Sequence, residues 1–281
     1  MSKNDLRGRT ILMSGGSRGI GLAIAVAAAR QGANVAILAK TDKPDPRLPG
    51  TVHTAAAEID DAGGAGLAIV GDVRDEESVK AAVQQTVDEF GGIDIVVNNA
   101  SAIALQPTES LPVKRFDLMT GIQLRGTYLL TSTALPHLRK ADNPHILSLS
   151  PPLNLNPKWL GAHPAYTLAK YGMTMLTLGW AAEYADVPVA ANCLWPETLI
   201  ATAAVQNLLG GDEAMAKART PEIVADAAME ILGKPAGECS GNAFIDVDVL
   251  REAGVTDLSE YGPTEGLERD IFLDRPEHPE H

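Results

Sequence analysis

Tyr166 and Lys170 stand four residues apart in a stretch, Ala165 to Ala185, whose composition predicts a helix. At i and i+4 both side chains leave one helix face and lie side by side. A free tyrosine titrates near pH 10, and a neighbouring ammonium favours its phenolate. Such a pair lets a phenol give a proton to a carbonyl oxygen or take one from an alcohol. Near the other end of the chain, Ser14-Gly15-Gly16-Ser17-Arg18-Gly19-Ile20-Gly21 joins a short apolar run to an Ala-rich one. Gly15 permits a tight turn there, while Gly19 and Gly21 let backbone and helix approach a pyrophosphate. The helix start then adds unpaired N–H groups and a partial positive charge. Both groups mean something only if the surrounding elements bring them to one place.

Those elements alternate along most of the chain. Strands are expected at 10–13, 35–39, 67–70, 93–97, 145–149, 187–194 and 243–245. Helices are expected at 19–30, 51–62, up to Phe90, 112–139, 165–185 and 221–232. In the third of these, Val79, Ala82, Val83, Val87 and Phe90 follow the three-and-four spacing of one apolar face. Short apolar strands separated by helices imply a parallel sheet covered on both sides. The expected fold is a single doubly wound α/β domain of Rossmann type, with about seven strands. It occupies 1–250, with 195–220 as an excursion over the site. The remainder, 251–281, reads as an acidic, proline-containing tail whose last ten or so residues are mobile.

Composition narrows the function classes. The chain has 281 residues, with 36 acidic and 23 basic side chains, a net −13. Nucleic-acid binding draws its affinity from phosphate neutralisation, so no nucleic-acid partner is expected. Cys193 and Cys239 lie far apart with no CxxC, which supports neither a disulfide framework nor a zinc site. No metal is expected, and His278 and His281 read as exposed tail residues. No run reaches the roughly 20 apolar residues of a membrane span, and the polar start does not read as a signal peptide. A cytoplasmic protein is the expectation.

The glycine spacing is G-x-x-x-G-x-G, and in this variant the chain resembles the short-chain dehydrogenase/reductase family. Asp72-Val73 after the third strand resembles the family's adenine-contacting Asp. Asn98-Asn99-Ala100-Ser101 resembles its Asn-Asn-Ala-Gly, and Tyr166-Thr167-Leu168-Ala169-Lys170 its Tyr-x-x-x-Lys. Asn98 to Ile103 with Ser150 to Pro157 resemble more narrowly the hydroxysteroid dehydrogenase-like protein 2 subgroup, some members of which carry a sterol-carrier domain that 281 residues would not hold. The resemblance implies a nicotinamide cofactor held by Gly15, Gly16, Ser17, Arg18, Gly19, Ile20, Gly21, Lys40, Asp72, Val73, Asn99, Ala100 and Lys170. It also implies that Tyr166 is the acid/base, with Lys170 on the nicotinamide ribose. An NAD-specific site needs a carboxylate after the second strand. Here that strand ends Leu38-Ala39-Lys40, and Arg18 is close by, so NADP(H) is expected.

Two positions depart from the family. Its catalytic Asn falls on Gln123, which carries the amide one methylene further out. Its substrate-orienting Ser falls on Pro151, leaving Ser150, or more weakly Ser148, to take the role. Two readings therefore stay open, an oxidoreductase with a substituted polar group and an NADPH-binding sensor with poor turnover. Leu153, Leu155, Trp159, Leu160, Trp195, Leu199, Leu208, Leu209 and Met215 are the expected cleft rim. That rim suits a bulky apolar carbonyl or alcohol, lipid-like in character. The resemblance further implies a homodimer or homotetramer.

Overall fold

The structure, a computed structural model, describes residues 5–45, 48–187, 189–208 and 210–274. Leu209, His278 and His281 lie outside the described residues. Seven strands form one sheet: β1 Thr10–Ser14, β2 Asn34–Ala39, β3 Ala65–Val70, β4 Ile95–Asn98, β5 His145–Leu149, β6 Ala190–Trp195 and β7 Ala243–Ile245. Their order is β3-β2-β1-β4-β5-β6-β7, and every pairing is parallel. The chain reverses its direction of travel across the sheet between β1 and β4, which opens a crevice at the carboxyl ends of those two strands.

Strand alternation sorts the core into two layers. Ile11 and Met13 of β1, with Val35 and Ile37 of β2, face α1 (Gly19–Arg30) and α10 (Glu222–Leu232). Leu12, Ala36 and Leu38 point the other way, onto α3 (Glu76–Phe90) and α5 (Thr127–Leu138). Their helices start as the sequence dictates. Thr51 caps α2 (Val52–Asp61) in a capping box with Thr54, and Asp75 caps α3 by accepting from the Ser78 N–H. The start of α1 has no side-chain cap, so its N–H groups remain directed at the crevice.

The expected elements are present with shifted ends, β4 starting at Ile95 and β6 at Ala190. The long region at 112–139 is three pieces, α4 (Val113–Met119), a π-helical turn at Thr120–Gly126, and α5. The proline-rich loop before α7 (Pro164–Glu183) contains a helix, α6 (Pro157–Ala162), started by an Asn156 cap and Pro157 at its first position. The excursion after β6 carries α8 (Ala203–Leu208) and α9 (Gly211–Ala216), and α11 (Asp246–Glu252) follows β7.

Beyond α11 the acidic segment folds back across the carboxyl edge of the sheet and is docked as far as Asp274. Leu199 N–H donates to Glu268 O, Asp270 N–H to Glu197 O, and the Trp195 indole to Ile271 O. Asp274 receives bonds from Asn154, Asn156 and the Trp159 indole. Among the described residues no helix is long and apolar enough to cross a membrane, and no cluster could hold a metal ion.

Candidate active site

One cavity of about 720 Å³ runs along the carboxyl ends of β2, β1, β4, β5 and β6. Its size and mostly apolar wall suit a small-molecule or cofactor site. Gly15, Ser17, Arg18, Gly19, Ile20, Lys40, Asp72, Val73, Asn99, Ala100, Tyr166 and Lys170 all line it. Gly16 and Gly21 lie behind that wall, where they are needed for packing. A Cβ on Gly16 would meet the Met13 sulfur at 2.9 Å, and one on Gly21 would collide with the Asn99 amide.

The turn is built for a close approach of backbone. Gly15 has φ +77°, and a Cβ there would lie 2.8 Å from the Ala100 Cα. Gly19 has φ +56°, a left-handed conformation that glycine adopts without strain, at the uncapped start of α1. The Asn99 amide donates to Gly15 O at 2.8 Å, and the Ser14 hydroxyl accepts from the N–H groups of Asn99 and Ala100. β4 and β1 thus brace one another under the cradle. Bare N–H groups, glycine backbone and a positive helix end fit the pyrophosphate of a dinucleotide.

The cations converge beside it at the end of β2. Arg18 reaches back to donate to Thr41 Oγ1 at 2.9 Å and to the carbonyls of Pro49 and Gly50 at 3.0 Å. Burial lowers the Arg18 pKa while Asp45 opposes it. The Lys40 ammonium lies 3.2 Å from Asp72, whose carboxylate also holds Arg74 in a two-point pair. Arg74 above all, then Lys40, keeps the Asp72 carboxyl well below its usual range against the opposing effect of burial. No acid occupies the end of β2.

At the other end of the cavity, α7 presents Tyr166 in its first turn and Lys170 one turn later. The Tyr166 ring stacks on Phe272, 6.2 Å between centroids and 16° between planes. Lys170 donates to Leu149 O at 2.8 Å, and its ammonium lies 5.1 Å from the centre of the Trp195 ring. Burial lowers Lys170 to about 8, against the charges of Asp270 and Cys193. The expected depression of Tyr166 by Lys170 is not what governs here. Burial pushes the phenol up, Asp270 pushes it further, and the Ser101 hydroxyl is what pulls it down. Tyr166 is therefore a protonated phenol at neutral pH, the form that donates.

The substituted positions are the ones that the structure does not bring to the cavity. Ser150 is fully buried beside the Cys193 thiol, off the cavity wall. Ser148 accepts from the Thr177 hydroxyl at 2.7 Å, also on the α7 side. Gln123 is buried in the π-helical turn. With its amide nitrogen turned toward the two nearest carbonyls it donates to Ala102 O (2.9 Å) and Met119 O (3.2 Å). Of the expected rim, Trp195, Leu199 and Leu208 line the cavity. Leu153, Leu155, Trp159, Leu160 and Met215 do not, because the proline-rich loop turns outward to hold Asp274 and Met215 packs against a small cluster under α8. Lys158 lies over the Trp159 ring.

Ser101, Asp270 and Phe272 are the site residues that the sequence reading missed. Phe272 is 1% exposed and packs on Trp159, Tyr166, Tyr171 and Trp195 with ring centroids 5.1 to 6.2 Å apart. Asp270, pushed up to about 7 chiefly by burial, is the carboxyl that faces Lys170 and Tyr166.

The family model described as short chain dehydrogenase matches residues 9–211 of this chain. The chain is 54% identical over 271 residues to hydroxysteroid dehydrogenase-like protein 2 of Danio rerio, covering 96% of this chain and 65% of that one. Against the Homo sapiens protein of the same name the identity is 49% over 277 residues, covering 98% and 65%. The chain thus spans just under two thirds of the length of these relatives. In solved structures it is similar to a short chain dehydrogenase of Mycobacterium thermoresistibile, with a TM-score of 0.92, 58% identity and 98% of each chain covered.

Proposed function

The chain belongs to the short-chain dehydrogenase family, whose members are oxidoreductases that use a nicotinamide cofactor, NAD(P)(H), and we propose that it reduces a bulky apolar carbonyl compound with NADPH. The observation that carries the reading is the placement of Tyr166 and Lys170 on the wall of the cavity that holds the glycine cradle. A nicotinamide cofactor bound there supplies hydride to a carbonyl carbon. Gly15, Ser17, Gly19 and Ile20 would hold its pyrophosphate, and Asn99 and Ala100 would border its path toward Lys170. Arg18 and Lys40 would meet a 2′-phosphate at the end of β2, with Asp72 holding Lys40 from the β3 side.

Tyr166 then donates its phenolic proton to the substrate oxygen as that oxygen gains electron density. A phenol carries its proton at neutral pH, which is the form a reduction needs. Ile103, Leu105, Ile122, Leu149, Trp195, Leu199, Val205 and Leu208 give the wall an apolar character that suits an aromatic, alicyclic or lipid-like carbonyl. The reading extends to a homodimer or homotetramer, supported by exposed Phe116, Tyr128, Leu168 and Met175 on α4, α5 and α7. It extends also to a reducing cytoplasm, in keeping with two buried free thiols.

The test is NADPH oxidation over a panel of ketones, aldehydes and quinones, with wild type beside Tyr166→Phe. Turnover that falls at least a thousandfold in the variant, with NADPH affinity within about twofold of wild type, is the expected outcome. Equal turnover in the two proteins, or none in wild type across the panel, overturns the reading.

A further inference from the structure

Besides Gln123 and Pro151, Ser101 also departs from the family pattern, and of the three it alone lies on the cavity wall. Pro151 stands in place of the family's serine and brings no donor; its carbonyl is taken by the Thr174 hydroxyl at 2.7 Å. Ser148 accepts from Thr177 of α7, and Ser150 is fully buried beside the Cys193 thiol, so neither lies on the cavity wall. Gln123, in place of the family's asparagine, spends its amide on the carbonyl of Ala102. The third departure is Ser101, where the family pattern has glycine. Its side chain is exposed and lies on the cavity wall with Tyr166 and Lys170, close enough to the phenol to oppose the rise in its pKa.

We propose that Ser101 supplies the hydroxyl missing from β5, hydrogen-bonding the substrate oxygen beside Tyr166 from the end of β4 instead. The inference rests on the carbonyl-reductase reading above. A serine hydroxyl has one donor hydrogen, and directed at the substrate oxygen it adds to the proton that Tyr166 gives there. Its position is fixed on both sides. Ala100 N–H, just before it, donates to Ser14 Oγ at 3.2 Å, and Ala102 O, just after it, is pinned by Gln123. The Gln123 substitution therefore acts as the support of the Ser101 one, and a π-helical turn is the local irregularity that aims it. Ser101 transfers no proton. The proton that reaches the substrate oxygen leaves Tyr166, the hydride that reaches carbon leaves NADPH, and Ser101 steadies the oxygen while both arrive.

The experiment compares wild type, Ser101→Ala, Ser101→Thr and Ser150→Ala in NADPH-driven reduction of the best carbonyl from the panel. Ser101→Ala is expected to lose about a hundredfold in kcat, the usual cost of one such donor, with KM raised no more than about fivefold and NADPH affinity little changed. Ser101→Thr, which keeps the hydroxyl, is expected to recover most of that loss. Unchanged kcat in Ser101→Ala overturns the proposal, as does loss in Ser150→Ala alone. A wild type that reduces nothing refutes the functional reading instead. Acetophenone affinity for NADPH-loaded wild type and Ser101→Ala, measured by calorimetry, then decides on Ser101. A loss of about fivefold in the variant sustains the contact, and equal affinities overturn it.

Discussion

Phe272→Ala probes whether the C-terminal segment is a working part of the site. The ring is 1% exposed and touches four other aromatic rings. Removing such a ring leaves a cavity and costs about 3–5 kcal/mol. The backbone at 272 has φ +76°, the one left-handed non-glycine residue among those described. Alanine bears that same strain, so the substitution brings no relief to offset the loss. Phe272→Leu keeps apolar volume and loses only ring contacts, for about 1–2 kcal/mol. Trp159 and Trp195 flank Phe272, so tryptophan emission followed through urea unfolding reads both variants. The segment is also held by backbone bonds to Glu197 and Leu199, so it can unlatch before the sheet unfolds. Hydrogen exchange at the Asp270 amide, bonded to Glu197 O, separates the two events. The expected pattern is faster Asp270 exchange in Phe272→Ala together with a lowered urea midpoint. A loss under about 1 kcal/mol with unchanged Asp270 exchange would refute the argument that this ring anchors the segment.

Two further outcomes follow from the charges. Arg18→Ala is expected to weaken NADPH binding by about 10- to 100-fold and NADH by little, since a charge-assisted bond carries about 1.5–3 kcal/mol. Lys40→Ala should do less, because its side chain is 62% exposed and screened, and a fluorescence titration showing equal losses for both cofactors would sink the assignment. His145 is held at about 4 by burial and by Arg9, below its ordinary 6.5. Acidification from pH 7.5 to 4.5 protonates the unfolded chain first, so this residue costs about 2–3 kcal/mol of stability over that window. Asp246, raised by burial to about 7, works in the opposite direction, because the folded form holds its proton between pH 4 and 7 and gains about 3 kcal/mol over the same acidification. Asp270, also raised to about 7 by burial, adds a gain of similar size, so wild-type stability should rise by about 3 kcal/mol on acidification, while relative to it His145→Asn gains and Asp246→Asn loses stability. Parallel pH profiles for all three proteins would contradict these assignments.

The cradle and the Tyr-Lys pair were legible because each is local. Glycine spacing between a strand and a helix, and a four-residue interval on one helix, fix geometry within a single turn of chain. Strand alternation likewise put Ser148 and Ser150 on a common face. It could not say that this face turns to α7 and Cys193, because that depends on which helix crosses the sheet there. The α6 helix had a signal in Asn156-Pro157, a cap residue followed by a favoured first position, that the surrounding prolines obscured. The C-terminal segment had none. Its turns carry no periodicity, and its anchor is a phenylalanine in a conformation that sequence does not advertise for that residue.

That segment changes what the catalytic end of the cavity is made of. Asp270 arrives from the last part of the chain, raises the Tyr166 phenol and opposes the fall of Lys170. Ser101 arrives from β4 and opposes Asp270 at the same phenol. The Tyr166 phenol is thus raised first by burial, and then acted on in opposite senses by two residues on separate elements, a carboxyl and a hydroxyl. On the proposed function the Tyr166-Lys170 pair supplies the chemistry, and these two residues border it. On the proposal for Ser101, a substitution at the end of β5 need not silence the site, because the neighbouring strand end offers a hydroxyl on the same cavity wall.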